Sequence, residues 1–185
     1  TDDQIHYLNM ATNSAEMQLN VINDILDFSK VDSGLLDLEE VYFEPSNIVE
    51  EVTSILAEQA QSKGVEIASF IAPSVPKAIT GDPTRLRQIL ANLINNAVKF
   101  TSTGEVITSV SKERDSDGIV TLRFEVKDTG IGISDEAVKE LFKSFVQADS
   151  STTRNFGGTG LGLAISRQLT LLMGGEIGVE SKVGV

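Results

Sequence analysis

The sequence predicts an α/β protein in which one long helix precedes a domain of alternating helices and strands. Three observations support this fold class. Residues 3–30 contain neither proline nor glycine and repeat their apolar positions at spacings of three and four, as a helix requires. Residues 83–100 form a second helical pattern. Residues 105–127 alternate apolar and polar side chains around Asp115-Ser116-Asp117-Gly118, which is typical of a β-hairpin turn.

The first helix carries an apolar seam that a single helix cannot bury. The seam needs another helix, which either the chain preceding Thr1 or a second copy of the protein would supply. Since Thr1 is not an initiator methionine, we expect the chain to be a piece of a longer protein. Gly34 is expected to end the helix. The seam positions are Ile5, Leu8, Thr12, Ala15, Leu19, Ile22, Leu26 and Ser29.

The remaining elements are predicted from local periodicity and from glycine and proline boundaries. Asp82-Pro83 is a helix-start signal, with an N-cap residue followed by proline in the first turn. Residues 146–158, rich in Ser, Thr, Asp and Gly, form either a functional lid or a disordered loop. Further helices are predicted over residues 46–62, 83–100, 134–144 and 161–173. Strands are predicted over residues 36–43, 65–71, 105–112, 119–127 and 176–181.

Composition excludes several classes of function. A net charge of −12 argues against nonspecific binding to nucleic acid or to an anionic membrane, since both require fields of Lys and Arg. An anionic ligand would therefore need local cations, helix N-termini or a metal ion. The chain has no cysteine, which fits a reducing compartment, and no apolar run approaches the length of a membrane span. We expect a cytoplasmic chain without direct membrane contact, whose parent protein is either soluble or membrane-anchored.

The helix over residues 88–100 carries polar groups where a core helix carries aliphatic ones. Asn92, Asn96 and Lys99 fall on one face, because residues three and four apart on a helix are neighbours. Burying them beside apolar side chains costs free energy unless partners satisfy them. Either a ligand supplies those partners, or the amides cap neighbouring loops.

Two glycine-rich stretches add candidate ligand contacts. Residues 128–132, Asp-Thr-Gly-Ile-Gly, follow a strand. The glycines would let backbone approach a flat ligand, and Asp128 would accept from an exocyclic amine such as that of adenine; alternatively, the stretch is a glycine turn capped by its aspartate. Residues 157–163 run directly into a helix. Their backbone amides would meet phosphate oxygens there, or the stretch as a whole would act as a lid hinge. Arg154 either contacts a terminal phosphate or is solvated.

Taken together and in this order, these stretches resemble the ATP-binding domain of sensor histidine kinases, within the gyrase, chaperone, histidine kinase and mismatch-repair ATPase superfamily. Residues 22–31 are similar to the end of the second dimerisation helix of hybrid-type histidine kinases. The matching motifs are the asparagine box at 93–101, the first glycine box at 128–132, the phenylalanine box at 142–145 and the second glycine box at 158–163.

The resemblance implies a two-layer α/β sandwich, with a mixed, largely antiparallel sheet and helices on one face, preceded by a long dimerisation helix. Residues 1–33 would be the C-terminal helix of the dimerisation hairpin and residues 34–185 the catalytic ATP-binding domain. Asn96, with Asn92 beside it, would hold Mg²⁺. The remaining implied contacts are Lys99 and Arg154 to phosphates, Asp128 to the adenine amine, Gly130 and Gly132 to the base, Phe100 near the nucleotide, Gly158, Thr159, Gly160, Leu161 and Gly162 in the lid, and Phe142 and Phe145 as lid anchors or core residues.

One position separates kinases from hydrolases in this superfamily. Hydrolytic members carry a glutamate four residues before the magnesium asparagine, where it activates water as a general base. This chain has Asn92 there, and an amide cannot accept a proton in that way. The catalytic set Asn92, Asn96 and Lys99 is therefore expected to protect ATP for transfer to a histidine. The alternatives are a nucleotide-binding sensor or scaffold module without catalysis, and a superfamily ATPase.

The expected phosphoacceptor is absent from this sequence. His6, the single histidine, is followed by Tyr7, Leu8, Asn9 and Met10, whereas the family's acceptor is followed by an acidic residue, Arg, Thr and Pro. We expect His6 to lie on a solvated helix surface and the acceptor to lie on a helix outside the chain. The expected partners are a response regulator receiver domain, the protein's own dimerisation helix and a homodimer partner.

Overall fold

The computed structural model describes residues 2–143 and 160–184. The predicted roles of Phe145, Arg154, Gly158 and Thr159 lie outside the described residues, as does the side chain of His6.

Five helices and five strands make up the described chain, and they confirm the predicted mixed α/β class. The helices are α1 (Asp2–Asp32), α2 (Pro45–Ser62), α3 (Pro83–Phe100), α4 (Asp135–Glu140) and α5 (Gly162–Leu172). The strands are β1 (Val41–Phe43), β2 (Val65–Ile71), β3 (Ile79–Gly81), β4 (Gly104–Ser116) and β5 (Ile119–Asp128). No helix in the described ranges has both the length and the apolarity that crossing a membrane would require.

The strands form one three-stranded sheet and one two-stranded sheet. In the larger sheet β4 lies between β2, to which it is parallel, and β5, to which it is antiparallel. The smaller sheet pairs β1 with β3 antiparallel. Asp117 and Gly118 join β4 to β5 with φ angles of 54° and 78°. Positive φ at both central residues is what a tight hairpin turn of type I′ requires, so the predicted turn is confirmed.

The main core lies between the larger sheet and helices α2 and α3. On β4, Val106, Thr108 and Val110 are buried at alternate positions, because successive side chains of a strand point to opposite faces. The helices cover this one face, as predicted. The buried residues of this core are Ile48, Val49, Val52, Ala60, Val65, Leu86, Leu90, Ile94, Ala97, Val98, Val106 and Val110.

A second apolar cluster joins α3, α5 and the end of α1. Its buried members are Leu36, Ile89, Leu161, Ile165 and Leu169, and Phe28, Val31, Leu38, Leu93 and Met173 pack against it. Among the described side chains of α1, those that pack into this cluster are Phe28 and Val31, in its last turns. Along the earlier part of α1 the large apolar seam residues, Ile5, Leu8, Leu19, Ile22 and Leu26, are 50–66% exposed.

A buried carboxylate fixes the start of α3. Asp82 is 3% exposed, and its Oδ1 accepts a hydrogen bond from the Arg85 backbone N–H at 2.9 Å. Its Oδ2 accepts from the Glu39 backbone N–H at 3.0 Å. The predicted N-cap is therefore confirmed, and the same side chain also ties α3 to the segment that precedes β1.

Several predicted boundaries are wrong. Residues 36–40 are not a strand, because Leu36 and Leu38 pack into the helical cluster and the Glu39 amide bonds to Asp82. Residues 176–181 form no strand ladder; the Ser181 hydroxyl instead accepts from the Ile133 amide at 2.9 Å.

Strand β4 runs to Ser116, beyond the predicted end at residue 112, and two short elements also differ from the prediction. Helix α4 stops at Glu140, where backbone bonds between residues three apart close its last turn. Strand β3 was not predicted, since its three residues are defined by distant pairing with β1.

Candidate functional site

The polar residues of α3 lie on one face, as the spacing predicts, and two of them, Asn92 and Asn96, are hydrogen-bonded to each other. The Asn96 Nδ2 donates to the Asn92 Oδ1 at 3.3 Å, and the Asn92 Nδ2 donates to the Ser166 Oγ on α5 at 2.8 Å. Asn92 is thus satisfied within the protein, whereas the Asn96 Oδ1 has no partner among residues 2–143 and 160–184. An amide oxygen in this state can accept from a ligand or bind a hard cation.

Ser166 is a site residue that the sequence did not reveal. It lies on α5, is 2% exposed and meets Asn92 from 74 positions along the chain. The available signal was a serine on the apolar side of an otherwise aliphatic helix pattern. Such a serine is buried at low cost only when its hydroxyl has a hydrogen-bond partner.

Two lysines meet at the C-terminal end of α3. The Lys63 Nζ, from the end of α2, donates to the carbonyl oxygens of Val98 at 3.1 Å and Lys99 at 3.2 Å. Burial, and secondarily the nearby positive charge of Lys63, hold the pKa of Lys99 below its usual 10.5. The Lys99 Nζ lies 4.9 Å from the centre of the Phe100 ring. This pair gives a protein of net charge −12 a local positive region at the C-terminal end of α3.

The stretch from Asp128 to Gly132 packs against the same end of α3. Asp128 is paired with Val106, whose side chain faces the helices, so the carboxylate lies on the helix side of the sheet's end. Its Oδ1 accepts from the Gly130 amide at 2.9 Å, and Oδ2 has no hydrogen-bond partner in the part of the chain that the structure describes. The exposed aspartate is therefore open to a donor from outside.

Gly130 is required by close packing. A Cβ atom at this position would lie 2.7 Å from both the Asp128 Oδ1 and the Phe100 carbonyl oxygen, closer than any side chain allows. The glycine lets the loop approach the last residue of α3. Gly132 lies in the same way against the backbone carbonyl of Lys182. The contacts these two glycines make within the protein are separate from the base contact that the resemblance implies.

The start of α5 completes the arrangement. A Cβ at Gly162 would overlap the Asn92 Oδ1, so the absence of a side chain brings α5 against the amide. The Leu161 side chain is 1% exposed in the second apolar cluster, which leaves only its backbone for a ligand. Gly160 precedes it with φ 69°, and Phe142 lies half-buried just after α4.

No group of three or more His, Cys, Asp or Glu side chains that would hold a metal occurs in residues 2–143 and 160–184. The oxygen donors near the predicted metal position are amides. Magnesium commonly takes one or two protein oxygens and completes its shell with water and substrate phosphates. This donor set fits magnesium that arrives with a phosphorylated ligand.

Two curated proteins to which this chain is similar are histidine kinases. The chain is 44% identical over 184 residues to the sensor histidine kinase GacS of Pseudomonas protegens, covering 100% of this chain and 20% of GacS. It is 43% identical over 182 residues to hybrid signal transduction histidine kinase L of Dictyostelium discoideum, covering 98% of this chain and 11% of the relative. The chain thus spans about a fifth or less of the length of these curated relatives.

Among solved structures, full-length ShkA in complex with AMPPNP superposes with a TM-score of 0.83 at 34% identity, over 100% of this chain and 37% of ShkA. A family model described as histidine kinase-, DNA gyrase B-, and HSP90-like ATPase matches residues 81–185, more than half of the chain. The chain therefore belongs to the histidine kinase-, DNA gyrase B-, and HSP90-like ATPase family, and the relatives that it matches are sensor histidine kinases.

Proposed function

We propose that this chain is the ATP-binding catalytic part of a two-component sensor histidine kinase, which transfers the γ-phosphate of ATP to a histidine on a dimerisation helix. One observation carries the proposal. Asn96 and Lys99 lie in the last turns of α3, and the loop that starts at Asp128 packs through Gly130 against Phe100, the last residue of that helix. The proposed metal ligand, phosphate-binding cation and acceptor for a base amine are thus all at or next to one end of one helix.

Asp128 and Lys99 are the proposed nucleotide contacts. The Asp128 Oδ2, which lacks a partner among the described residues, would accept from the exocyclic amine of adenine. Lys99 would approach the phosphates as a compact cation, with the Phe100 ring beside its ammonium group. The AMPPNP complex of ShkA supports this assignment of nucleotide class.

Asn96 is the proposed protein ligand of magnesium. Its Oδ1 points away from the hydrogen bond that its Nδ2 makes to Asn92. When bound, Mg²⁺ supplies charge neutralisation at the phosphates. This chain's own residues do the rest: Asn96 places one oxygen, Asn92 and Lys99 lie one turn before and one turn after it, and Lys63 fixes the carbonyl end of α3.

Asn92 favours transfer over hydrolysis. Its Nδ2 donates to Ser166 and its Oδ1 accepts from Asn96. Because the side chain is an amide, it has no basic atom with which to take a proton from water. ATP held here would keep its γ-phosphate until a histidine nitrogen attacks phosphorus and ADP leaves. A superfamily ATPase would instead need a carboxylate at this position.

We also propose that residues 1–33 are a dimerisation helix and residues 34–185 the catalytic unit. The exposed seam from Ile5 to Leu26 supports this division, because a second helix would bury it. The last turns of α1 pack on α3 and α5, so contacts cross the proposed boundary. A homodimer partner would supply the helix that covers this seam. A receiver domain of a response regulator would accept the phosphate from the histidine. We propose that both interactions take place in the cytoplasm.

Calorimetric titration with AMPPNP, with and without Mg²⁺, tests the proposed function. We expect the unmodified chain to bind, and binding to be strengthened by the metal. Asn96→Ala should abolish that strengthening, and Asp128→Ala should weaken binding about tenfold or more because a buried base amine then lacks its acceptor. Asn95→Ala is the matched control, since Asn95 is exposed on the same helix.

Absence of heat from the unmodified chain would contradict the proposal and favour a scaffold module without catalysis. Incubation with labelled ATP is the second check. We expect no acid-labile phosphate on this chain, because His6 lacks the acceptor's sequence context. Steady release of inorganic phosphate would instead favour the ATPase alternative.

A further inference from the structure

Ser166 and Gly162 on α5 hold the Asn92 amide in one orientation. The Ser166 hydroxyl accepts from the Asn92 Nδ2 at 2.8 Å, and Gly162 lies against the Asn92 Oδ1. We propose that Ser166 is a positioning residue for the magnesium site, which fixes Asn92 and through it the oxygen of Asn96. The inference rests on the proposed function, since it concerns the same site.

The two ends of the Asn92 amide are chemically different. An asparagine side chain donates from nitrogen and accepts at oxygen. Because the Asn92 Nδ2 donates to Ser166, the Asn92 Oδ1 faces Asn96. The Asn96 Nδ2 donates to this oxygen at 3.3 Å. The oxygen of Asn96 is then directed away from Asn92. Each hydrogen bond in this series therefore determines the next.

Reversing the first amide would reverse the second. If the Asn92 oxygen faced Ser166, its nitrogen would face Asn96, and Asn96 would have to turn its oxygen inward to accept. The group presented outward would then be an NH₂, which cannot bind a cation. A hydroxyl can also donate, so the metal-binding oxygen of Asn96 faces outward in the orientation observed here, in which the Ser166 hydroxyl accepts from Asn92.

Burial protects the hydrogen bond between Ser166 and Asn92 from competition by water. Ser166 is 2% exposed, so water does not readily replace its hydroxyl as the partner of Asn92. Gly162, one turn earlier on α5, packs so closely against the Asn92 oxygen that even a Cβ would overlap it, so the amide cannot move toward α5. Rotation and translation of Asn92 are both restrained from α5. The metal ligand on α3 is consequently coupled to the position of α5.

The test compares AMPPNP affinity in Mg²⁺ with affinity in EDTA for variants of the full chain. We expect Ser166→Ala to reduce the Mg²⁺-dependent gain in affinity about tenfold, the lower end of what loss of a residue supporting a metal ligand costs. Its affinity in EDTA should stay within about twofold of the unmodified protein, since a lost amide orientation does not remove the base or phosphate contacts.

Two further variants separate positioning from general stabilisation. Ser166→Thr keeps a hydroxyl and should keep the Mg²⁺-dependent gain. Thr170→Ala removes the hydroxyl that donates to the Ser166 carbonyl at 2.7 Å, one turn along the same helix. It should leave the Mg²⁺-dependent gain unchanged. Side-chain amide NMR signals of Asn92 and Asn96 should shift in Ser166→Ala and not in Thr170→Ala.

Several results would overturn the inference. An unchanged Mg²⁺-dependent gain in a folded Ser166→Ala protein, while Asn96→Ala abolishes it, would reject the role of Ser166 and leave the proposed function intact. Equal losses in Mg²⁺ and in EDTA would show that Ser166 supports the fold generally. Failure of the unmodified chain to bind AMPPNP would reject the proposed function together with the inference.

Discussion

Replacing Asp82 by alanine should destabilise the whole domain, because this one side chain holds the helix that carries the site. Asp82 is 3% exposed, and its two carboxylate oxygens each accept one backbone N–H, from Arg85 at 2.9 Å and from Glu39 at 3.0 Å. A hydrogen bond to a charged group contributes about 1.5 kcal/mol or more. Losing two of them should lower the free energy of unfolding by about 3 kcal/mol.

The assay is urea unfolding followed by circular dichroism, with thermal unfolding as a second measure. For a domain of this size a loss of 3 kcal/mol corresponds to a fall in Tm of roughly 6–12 °C. Asp82→Ser should cost about half as much, because serine keeps the N-cap bond to the Arg85 amide and loses the bond to the Glu39 amide.

A capping serine elsewhere in the chain provides the control. Ser134 caps α4, where its hydroxyl accepts from the Ala137 amide at 3.3 Å in an exposed position. Ser134→Ala should cost only about 0.5–1 kcal/mol. If Asp82→Ala lowered the unfolding free energy by less than 1 kcal/mol, or no more than Ser134→Ala, the account of how α3 is anchored would be wrong.

Two further perturbations test the ends of α3. Burial, and secondarily Lys63, lower the pKa of Lys99 in the folded protein. Between that pKa and 10.5 the unfolded chain therefore binds more protons than the folded one, so the free energy of unfolding should rise with pH across this window. The rise, measured by urea unfolding, should be smaller in Lys99→Met. Asp27→Ala should lower stability by about 1 kcal/mol in the same assay, because Asp27 accepts from Gln88 at 2.7 Å and pairs with Arg85 at 3.5 Å between α1 and α3. An unchanged pH profile, or an unchanged unfolding midpoint, would contradict the respective assignment.

Local chemistry made part of the molecule predictable. The cap at Asp82, the proline that follows it and the turn at Asp117-Gly118 each depend on residues within four positions, and all three were confirmed. The common face of Asn92, Asn96 and Lys99 follows from helical periodicity alone. Such features can be recognised without knowledge of the remaining fold, because the groups that satisfy one another are neighbours in sequence.

Long-range contacts explain what the sequence did not reveal. Ser166 meets Asn92 across 74 positions, and Lys63 reaches the end of α3 across 35 and 36. The local signal of Ser166 is a polar residue on an apolar helix face, which does not identify its partner, and Lys63 carries no local signal of its role. Residues 36–40 and 176–181 have strand-like composition. In the structure, however, the Glu39 amide donates to Asp82 and the Ser181 hydroxyl accepts from Ile133, and neither bond belongs to a β-ladder. Tertiary contacts overrode β propensity there, as they commonly do in short segments.

Backbone amide chemical shifts during titration with AMPPNP and Mg²⁺ test the location of the site most directly. If nucleotide binds between the end of α3 and the Asp128 loop, the largest shifts should fall on Asn96, Lys99 and Gly130. The hairpin tip at 115–118 and the exposed seam of α1 should not respond. Shifts concentrated at those two regions, with α3 and the Asp128 loop unchanged, would contradict the account.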